Sequence, residues 1–500
     1  MTGAVRSHAA RAQAAPWLTG AVWACVALAV NLSGNRFDAT SFKQLWQLVP
    51  YENLVADPFG SVWNLHIQPP VWNLVVGLVG RWSPLPEGIS FQLLMLGFGV
   101  AAAVLLCDTL RLIGVRAWWA AALTLFAMCE PDVVVNAFEP RYELAVTTGV
   151  VAVAWLIARG SARHGSRDRW FALVATAATA VTMTRTIYHP VWLVVLLGGL
   201  AWIWRHHLSR RWVLSSACIP LVVVGGWMLK NEYLVGRFTL NTWAGMNLQR
   251  AVIGELHPED RAAMLASGEL SKVSAVNSFA SYDFYVPAVG PCTKRWGSPV
   301  LDRLTRDGPF AIPNFNAGCF LPVYDLARDD ALNAIRQHPD AYVRGRLWSG
   351  RRWFELDETF TRSKSLFARA DQRVYRILDV GLPGTWGVGD RGAHFSVLVL
   401  VCTIAVVVAG LFSRRRRAAE VWQYVAFLTV WTFAVGVLFE LGEQPRFRST
   451  IDPLVITFGI AAIASAVAQR RVSPAATAAP SSQQASSAAR SGSPTTVTGA

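Results

Sequence analysis

Side chains capable of acid–base or electrostatic chemistry are concentrated in four regions of this 500-residue sequence, each beside a long apolar segment. The first region holds NRFDATSF and ADPFGSVWNLHIQPPVWN, and the others are CEPDVVVNAFEPRYEL, TRTIYHP and ELGEQPRFRSTIDP. A carboxylate can take a proton from a hydroxyl nucleophile, while arginine and histidine can stabilise an anionic leaving group. The four regions are therefore candidate parts of one reaction centre, if the fold brings them together.

The composition indicates a membrane protein. Hydrophobic residues make up 53% of the chain, charged residues only 16%, and tryptophan occurs 22 times. The apolar residues form blocks of about 17 to 22 residues, the length that a helix needs to cross a hydrocarbon core of about 30 Å. Fingerprints of soluble nucleotide-binding proteins, such as a P-loop, do not occur in the sequence. We therefore predict an all-α polytopic membrane protein with about ten transmembrane helices.

The apolar blocks define these membrane spans. They are residues 17–33, 89–110, 117–135, 144–158, 170–184, 190–204, 212–230, 394–412, 420–439 and 452–469. Arginine-rich connections alternate along the chain with connections that contain few arginines. Since positively charged loops stay in the cytoplasm, this alternation predicts that both termini are cytoplasmic and that the four chemically rich regions face outward. The same bias accounts for most of the net charge of +14, so nucleic-acid binding is not needed to explain it.

The spans divide the chain into four parts. Residues 1–235 form an N-terminal transmembrane module with a first outer loop at 34–88, residues 236–393 an extracytoplasmic domain, and residues 394–471 the C-terminal transmembrane helices. The remaining residues, 472–500, are rich in Ala, Ser, Pro and Thr, which predicts a disordered cytoplasmic tail. A structureless loop as long as the extracytoplasmic segment would be unusual, and its apolar residues recur at helical spacing. A mostly helical outer domain is expected.

Two of the seven cysteines fall in the predicted outer domain. These are Cys292 and Cys319, and the other five lie within or near the spans. Disulfides form in oxidising extracytoplasmic compartments, so a bond between these two residues is predicted, with two free thiols as the alternative.

The order of the motifs resembles that of the GT-C membrane glycosyltransferases. An Asp follows the first span, and a His/Gln-Pro-Pro followed by an aromatic residue and a short apolar helix comes later in the same loop. EPDVVVNAFEPRYEL, TRTIYHP, KNEYLVGRFTLNTWAGMNL and EQPRFRSTIDP then occur in the family's order and on the expected side. The similarity is greatest to the protein O-mannosyltransferases and the lipid A aminoarabinose transferase, and it covers about residues 1–250 and 394–470.

The resemblance implies a hexosyl- or pentosyltransferase of the cell membrane that works in cell-envelope assembly. Such an enzyme moves a sugar from a polyprenyl-phosphate carrier to an extracytoplasmic lipid, polysaccharide or protein acceptor, with inversion and with an Asp as base. A lipid-carrier flippase or transporter, or a non-catalytic scaffold with the same fold, is the alternative. The nearly uncharged interiors of the spans disfavour transport through the bundle.

Three carboxylates are candidates for the catalytic group. Asp38 stands where the family's first-loop Asp falls, although an Asp at that place is also a good helix N-cap. Asp57, in ADPFG, is the second candidate and equally suits a turn. The family often has another acid beside the first-loop Asp, but this chain has Ala39 there, which leaves room for Asp57 or Glu143 to assist. The Tyr-Glu context of Glu143 matches the family's second loop.

The candidate contacts to the donor's phosphate or sugar are the basic and amide side chains of the same regions. They are His66, Gln68, Arg141, Arg185, His189, Arg446 and Arg448. An arginine at the end of a span often reaches toward lipid headgroups, Arg141 can pair with a neighbouring glutamate, and His66 can belong to an interfacial belt with Trp63 and Trp72. The sequence requires no cofactor and predicts no metal ligands. The missing second acid weakens the case for a bound metal, and a divalent metal stays an open alternative. Membrane lipids and the lipid-linked donor are the expected partners.

Overall fold

The computed structural model describes residues 2–34, 36–307, 312–355, 379–382 and 393–472. The N-terminal helices are α1 (Thr2–Leu32), α2 (Tyr51–Ala56), α3 (Pro58–Trp63), α4 (Pro70–Trp82), α5 (Glu87–Leu112), α6 (Ala117–Met128), α7 (Pro131–Val135), α8 (Glu143–Ser161), α9 (Asp168–Thr182), α10 (Pro190–Ile203) and α11 (Arg210–Val235). The later helices are α12 (Ala244–Ile253), α13 (Pro258–Ser267), α14 (Val286–Val289), α15 (Pro299–Asp302), α16 (Leu321–Gln337), α17 (Pro339–Arg352), α18 (Val397–Leu411), α19 (Ala419–Phe439), α20 (Gln444–Ser449) and α21 (Asp452–Val472).

Short 3₁₀ turns and one hairpin complete the described elements. The turns are Ala39–Gln44, Lys272–Ala275, Tyr282–Phe284, Gly318–Phe320 and Ser413–Arg415. Strands β1 (Asp379–Leu382) and β2 (Ala393–Ser396) are antiparallel, with Asp379 opposite Ser396. The predicted all-α polytopic architecture is confirmed, apart from this hairpin, which the sequence pattern did not indicate.

Each predicted span coincides with a helix. Within the described residues, six helices are long and apolar enough to cross a membrane: α1 (from Gln13), α5, α8, α11, α19 and α21 (to Gln469). Three shorter apolar helices, α6, α10 and α18, fall on other predicted spans. The remaining predicted span, residues 170–184, corresponds to α9, which has 15 residues. The spans were therefore predicted correctly in position, and several of their helices are shorter than the apolar blocks.

Loops that the sequence assigns to the same side meet at the same end of the bundle. Arg167, after α8, forms a 3.1 Å ion pair with Glu420 at the start of α19. The backbone N–H of Arg167 also donates to the carbonyl of His207, after α10. Asp168 accepts a 2.8 Å hydrogen bond from the backbone N–H of Ser209. The alternation of loops is thus reproduced, and the cytoplasmic assignment of this end remains the sequence's prediction.

The packing of α1 against α5 depends on a tryptophan that lies on a glycine. Trp23 is fully buried, and its indole N–H donates a 2.9 Å hydrogen bond to the carbonyl of Met128 at the end of α6. A Cβ at Gly99 would overlap the Trp23 ring. Because the two helices pack closely at this point, Gly99 is required for its small size.

The first outer loop folds into short helices packed on a cluster of aromatic rings. Phe42 lies 4.5 Å from Phe91 of α5 and 5.5 Å from Tyr51, measured between ring centroids. Helix α4 begins directly after Pro69, as the diproline predicts, and runs for 13 residues. Trp63 is 54% exposed, as an interfacial residue would be, but Trp72 is buried. The expected belt pairing of the two tryptophans is therefore wrong for Trp72, which is a core residue.

The outer domain is built from α12 to α17. It has a small apolar core of its own that includes Val252, Leu256, Met264 and Ala334. Cys292 and Cys319 are joined by a disulfide, with their Cα atoms 5.6 Å apart. Parts of the predicted outer domain (356–378 and 383–392) and residues 473–500 of the predicted disordered tail lie outside the described residues.

A pair of glycine substitutions in α5 tests this packing. Gly99→Ala is expected to lower the melting temperature in detergent, because overpacking a core costs about 1–3 kcal/mol. Gly97, two residues earlier, has no atom within 4 Å of an added Cβ, so Gly97→Ala is the matched control and should keep or raise stability. Equal melting temperatures for the two variants would contradict the α1–α5 contact.

Candidate functional site

Three of the four chemically rich regions meet in a buried cluster of charged side chains. Arg446 Nε donates to Glu143 Oε1 at 2.5 Å, and Arg185 Nη1 lies 3.7 Å from the same oxygen. The Glu143 side chain has no exposed surface, that of Arg185 is 2% exposed, and that of Arg446 is 9% exposed. We call these three residues the Glu143 cluster. Long-range folding, and not sequence proximity, creates it.

Helix ends position the members of the Glu143 cluster. Glu143 is the first residue of α8, and Arg446 lies in α20, where Pro445 stands in the first turn. Arg185 follows the end of α9, and its guanidinium lies over the rings of Tyr142 and Phe447, 5.1 Å and 4.2 Å from their centroids. These aromatic faces stabilise the cation and hold it against the carboxylate.

The Glu143 cluster contains more hydrogen-bonding capacity than the described residues satisfy. Arg185 Nη1, Arg185 Nη2 and Arg446 Nη2 are buried without a hydrogen-bond partner, and so is Glu143 Oε2. Leaving a buried charged donor unpaired is costly, and native proteins rarely do so without a reason. Three guanidinium nitrogens are therefore available to an acceptor that enters the cluster.

Two further glutamates adjoin the cluster at the end of α19. Arg446 Nη1 donates to Glu443 Oε2 at 2.9 Å, and the Glu443 side chain is 37% exposed. Burial lowers the pKa of Arg446, but the charges of Glu143 and Glu443 outweigh it and hold that pKa well above its usual value. Burial raises the pKa of Glu440 to about 7, and the Glu443 charge adds to this effect. Arg446 stays charged, whereas Glu440 titrates near neutral pH.

Asp38 is exposed and caps the 3₁₀ turn Ala39–Gln44. Its carboxylate accepts hydrogen bonds from the backbone N–H and hydroxyl of Thr40, at 2.9 and 2.6 Å, and from the Ser41 hydroxyl at 3.0 Å. The Thr40 side-chain bond is the main reason why the pKa of Asp38 is lowered. The capping role that the sequence allowed is thus present, and the exposed carboxylate is ionised at neutral pH.

Asp57 has the same local role one helix later. It is exposed, stands at the N-cap of α3 and accepts a 3.0 Å hydrogen bond from the backbone N–H of Gly60. A Cβ at Gly60 would overlap the Asp57 carboxylate, so the glycine permits this cap. Asp57 therefore remains chemically available, as Asp38 does.

Hydrogen bonds connect the first outer loop to the same end of the bundle as the Glu143 cluster. The backbone N–H of Val71, at the start of α4, donates to the carbonyl of Met183, two residues before Arg185. Near Asp38, Asn31 donates to Gln92 Oε1 at 3.2 Å, and Gln92 in turn donates to the carbonyl of Ala137. The loop that carries the candidate bases is thus anchored beside the elements that carry the arginines.

The structure places His66, a predicted phosphate or sugar contact, in a buried link between the first outer loop and the outer domain. The residue is fully buried, its Nε2 lies 2.9 Å from the carbonyl of Asn316, and its Nδ1 lies 2.7 Å from the Thr242 hydroxyl. A carbonyl only accepts, so Nε2 carries the proton and Nδ1 accepts from Thr242. Burial lowers the pKa of His66 to about 3, which keeps the ring neutral. His66 is a structural link and has no ring nitrogen free for a ligand.

Residues that the sequence analysis did not single out complete this link. Asn316 accepts from the backbone N–H of His66 and donates to the carbonyl of Asn64, both at 2.9 Å. Lys230, near the end of α11, donates to the carbonyl of Leu65 at 2.5 Å. The buried Arg306 donates to the carbonyls of Leu45, Trp46 and Leu48. We call Asn316, Lys230 and Arg306 the loop clamp, because together they fix the backbone of the first outer loop.

Two other predicted donor contacts, Arg448 and Arg141, bond to protein groups. Arg448 is buried, donates to Asp452 and to the carbonyls of Trp353 and Glu355, and thereby ties α20 to α21 and to the end of the outer domain. These bonds serve the fold, and a contact of Arg448 with the donor stays a prediction. Arg141 forms a 3.3 Å ion pair with Glu139, the structural alternative.

Gln68 and His189 keep polar atoms near this end of the bundle. Gln68 is buried, and its Oε1 has no hydrogen-bond partner. His189 caps α10 by accepting from the backbone N–H of Val191, and the partial burial of its ring lowers its pKa. Among the described residues, no group of three or more His, Cys, Asp or Glu side chains is arranged to hold a metal ion.

The neutral, buried state of His66 predicts a pH dependence of stability. The folded pKa of about 3 lies below the ordinary 6.5, so the unfolded chain takes up a proton that the folded chain excludes as the pH falls through 6.5. About 2 kcal/mol of stability should be lost between about pH 7.5 and pH 5 from this residue. His66→Gln should show a smaller loss in thermal melts over that range.

His206→Gln is the matched control for this prediction, since His206 is exposed in the loop after α10. That variant should follow the wild-type pH profile. A His66→Gln profile with the same slope as wild type would contradict a neutral His66 in the folded protein.

Comparison with known proteins gave one similar solved structure. No family model and no curated protein matches the chain. The crystal structure of ArnT from Cupriavidus metallidurans bound to undecaprenyl phosphate is similar, with 15% sequence identity, over 92% of this chain and 81% of that chain, at a TM-score of 0.33. At this TM-score the match does not establish a shared site or function.

Proposed function

We propose that this protein is an integral-membrane glycosyltransferase of the GT-C class that uses a polyprenyl-phosphate sugar as donor. The acceptor is a hydroxyl on the extracytoplasmic side, in cell-envelope glycan or glycoconjugate assembly. The order of the sequence motifs, the polytopic helical fold and the charged cluster at the predicted outer end support this proposal.

The unpaired guanidinium donors of the Glu143 cluster are the observation that carries the proposal. A phosphate offers several acceptor oxygens and a negative charge, which match the fork of arginine. The three nitrogens of Arg185 and Arg446 that lack a hydrogen-bond partner among the described residues would bind the donor phosphate and stabilise the negative charge that it gains as the sugar leaves. Glu443 is partly exposed beside Arg446, so the cluster adjoins solvent.

Glu143 is better suited to position the arginines than to act as the base. Its Oε1 faces both Arg446 and Arg185, and removing one partner from a buried ion pair leaves an uncompensated charge. We therefore assign Glu143 to holding Arg446 in place. The earlier option of direct catalysis by Glu143 has less support.

The base in this proposal is Asp38, with Asp57 as the second candidate. Asp38 is ionised and exposed, so it can accept the proton of the acceptor hydroxyl. The hydroxyl oxygen attacks the anomeric carbon, the bond from that carbon to the phosphate oxygen breaks, and the carrier leaves as polyprenyl phosphate. A single displacement of this kind inverts the anomeric configuration.

The distribution of charge favours transfer over transport. Asp108 in α5 pairs with Arg111 and Arg159 near one end of the bundle, and the Glu143 cluster lies at helix ends on the other side. A flippase would need a polar path that connects the two ends through the spans. Asp108, Arg111 and Arg159 form one group and the Glu143 cluster forms the other, at opposite ends of the bundle.

Loss of the arginine donors of the Glu143 cluster should slow transfer strongly. Purified protein would be incubated with a panel of polyprenyl-phosphate sugars, and consumption of each donor measured. Arg185→Gln is expected to lower the transfer rate about 10²- to 10³-fold, the usual effect of removing one preorganised donor. Arg169→Gln is the matched control, because Arg169 is exposed at the other end of the bundle, where its guanidinium lies over the Trp170 ring. Full transfer by Arg185→Gln with normal melting would overturn the phosphate assignment.

Replacement of the two candidate bases separates their roles. Asp38→Asn keeps a cap of similar shape and should reduce transfer about 10²- to 10⁴-fold with a small change in melting temperature. Asp57→Asn should leave transfer within a few fold. The reverse ranking would assign the base to Asp57, and transfer absent from wild type with every donor in the panel would favour the non-catalytic scaffold.

A further inference from the structure

A cavity lies in the outer domain, beside the C-terminal end of α11. Its volume is about 330 Å³, at the lower end of the range for small-molecule sites. Arg237, Tyr282, Lys294 and Trp296 supply the cationic and aromatic parts of its wall. None of the residues of the Glu143 cluster lines this cavity.

The disulfide forms part of the wall of this cavity and fixes its shape. Cys292 and Cys319 both line it, so the bond fixes the segment that carries Lys294 and Trp296 against the turn Gly318–Phe320. A Cβ at Gly318 would overlap the Trp296 indole, which shows that the ring packs directly on the glycine backbone. The Tyr282 hydroxyl donates to the carbonyl of Gly290 and braces the same wall.

The charges that line the cavity are positive. Lys294 is exposed, and its ammonium lies 3.7 Å from the centroid of the Trp296 ring and forms no ion pair among the described residues. Arg237 is 41% exposed and forms an ion pair with Asp325 through two of its nitrogens. Among the described residues, no Asp or Glu contributes to the lining. An anion entering the cavity would therefore meet Lys294 as a free cation.

We propose that this cavity binds a single sugar unit that carries a negative charge, either a sugar phosphate or a uronic acid. Trp296 is partly exposed in the cavity wall and offers aromatic surface to the apolar face of a pyranose ring, while the buried Tyr282 supports the wall from behind. Lys294 provides the charge for the phosphate or carboxylate, and Thr293 in the same wall provides a hydroxyl. A position beside the end of a span suits recognition of the acceptor, and only this acceptor role rests on the proposed function.

Binding can be measured without any donor lipid. Full-length protein in nanodiscs of uncharged lipid would be titrated with glucose 6-phosphate and glucuronate, and separately with glucose and inorganic phosphate. We expect the two charged sugars to bind with a dissociation constant on the order of 1 mM, and at least tenfold more tightly than glucose or inorganic phosphate. Two half-ligands that bind much more weakly than the whole indicate a site for both the ring and the charge.

Variants locate the site. Lys294→Gln should weaken binding of both charged sugars at least tenfold, whereas Lys272→Gln, an exposed lysine of the same domain outside the cavity, should not. Asp325→Asn frees the Arg237 guanidinium and should tighten binding. Melting curves check that each variant is folded.

Several outcomes would overturn the proposal. Unchanged binding in Lys294→Gln, or inorganic phosphate binding as tightly as glucose 6-phosphate, would each contradict a charged-sugar site. Binding of an added anionic lipid that Lys294→Gln weakens, with no binding of the charged sugars to the lipid-free site, would identify a lipid headgroup site instead. Transfer from a polyprenyl-phosphate donor that survives in Lys294→Gln with a simple acceptor would leave the proposed function standing when the cavity assignment fails.

Discussion

The contact between Glu143 and Arg446 is the interaction on which this end of the molecule depends. It joins the start of α8 to α20, which lie 303 residues apart, and it brings Arg185 within 3.7 Å of the same oxygen. The fold tolerates the burial of these groups only while they remain paired, since an uncompensated buried charge destabilises it by about 3–5 kcal/mol. The same burial leaves guanidinium nitrogens that have no hydrogen-bond partner among the described residues. Structural need and binding capacity therefore arise from one arrangement.

The loop clamp is the second constraint, because it gives the candidate bases a fixed place relative to these arginines. Asn316 and Arg306 belong to the outer domain and Lys230 to α11, and each donates to backbone carbonyls of the first outer loop. Both ring nitrogens of His66, in WNLHIQPPVWN, are hydrogen-bonded within this link. His66 therefore serves the fold. The outer domain contributes to the site by holding the backbone of the first outer loop.

The spans, the helix after the diproline and the sidedness of the loops follow from local sequence, because apolar length, fixed proline geometry and arginine bias are local properties. The same reasoning identified Arg185, Arg446 and Glu143 by type and position. It could not foresee the structural bonds of Arg448 or His66. The carbonyls of Trp353 and Glu355 lie 95 and 93 residues from Arg448 in sequence, and Asn316 lies 250 residues from His66. Arg306 and Asn316 lie in a segment with no periodic signal, and only the folded chain shows their role.

The most direct test of the central claim is a cryo-electron microscopy map of the full-length protein with a bound polyprenyl phosphate. The account predicts phosphate oxygens within about 3 Å of the free nitrogens of Arg185 and Arg446, the distance of a charge-assisted hydrogen bond. A phosphate held elsewhere, with those guanidinium groups still unpaired or bonded only to protein, would contradict it.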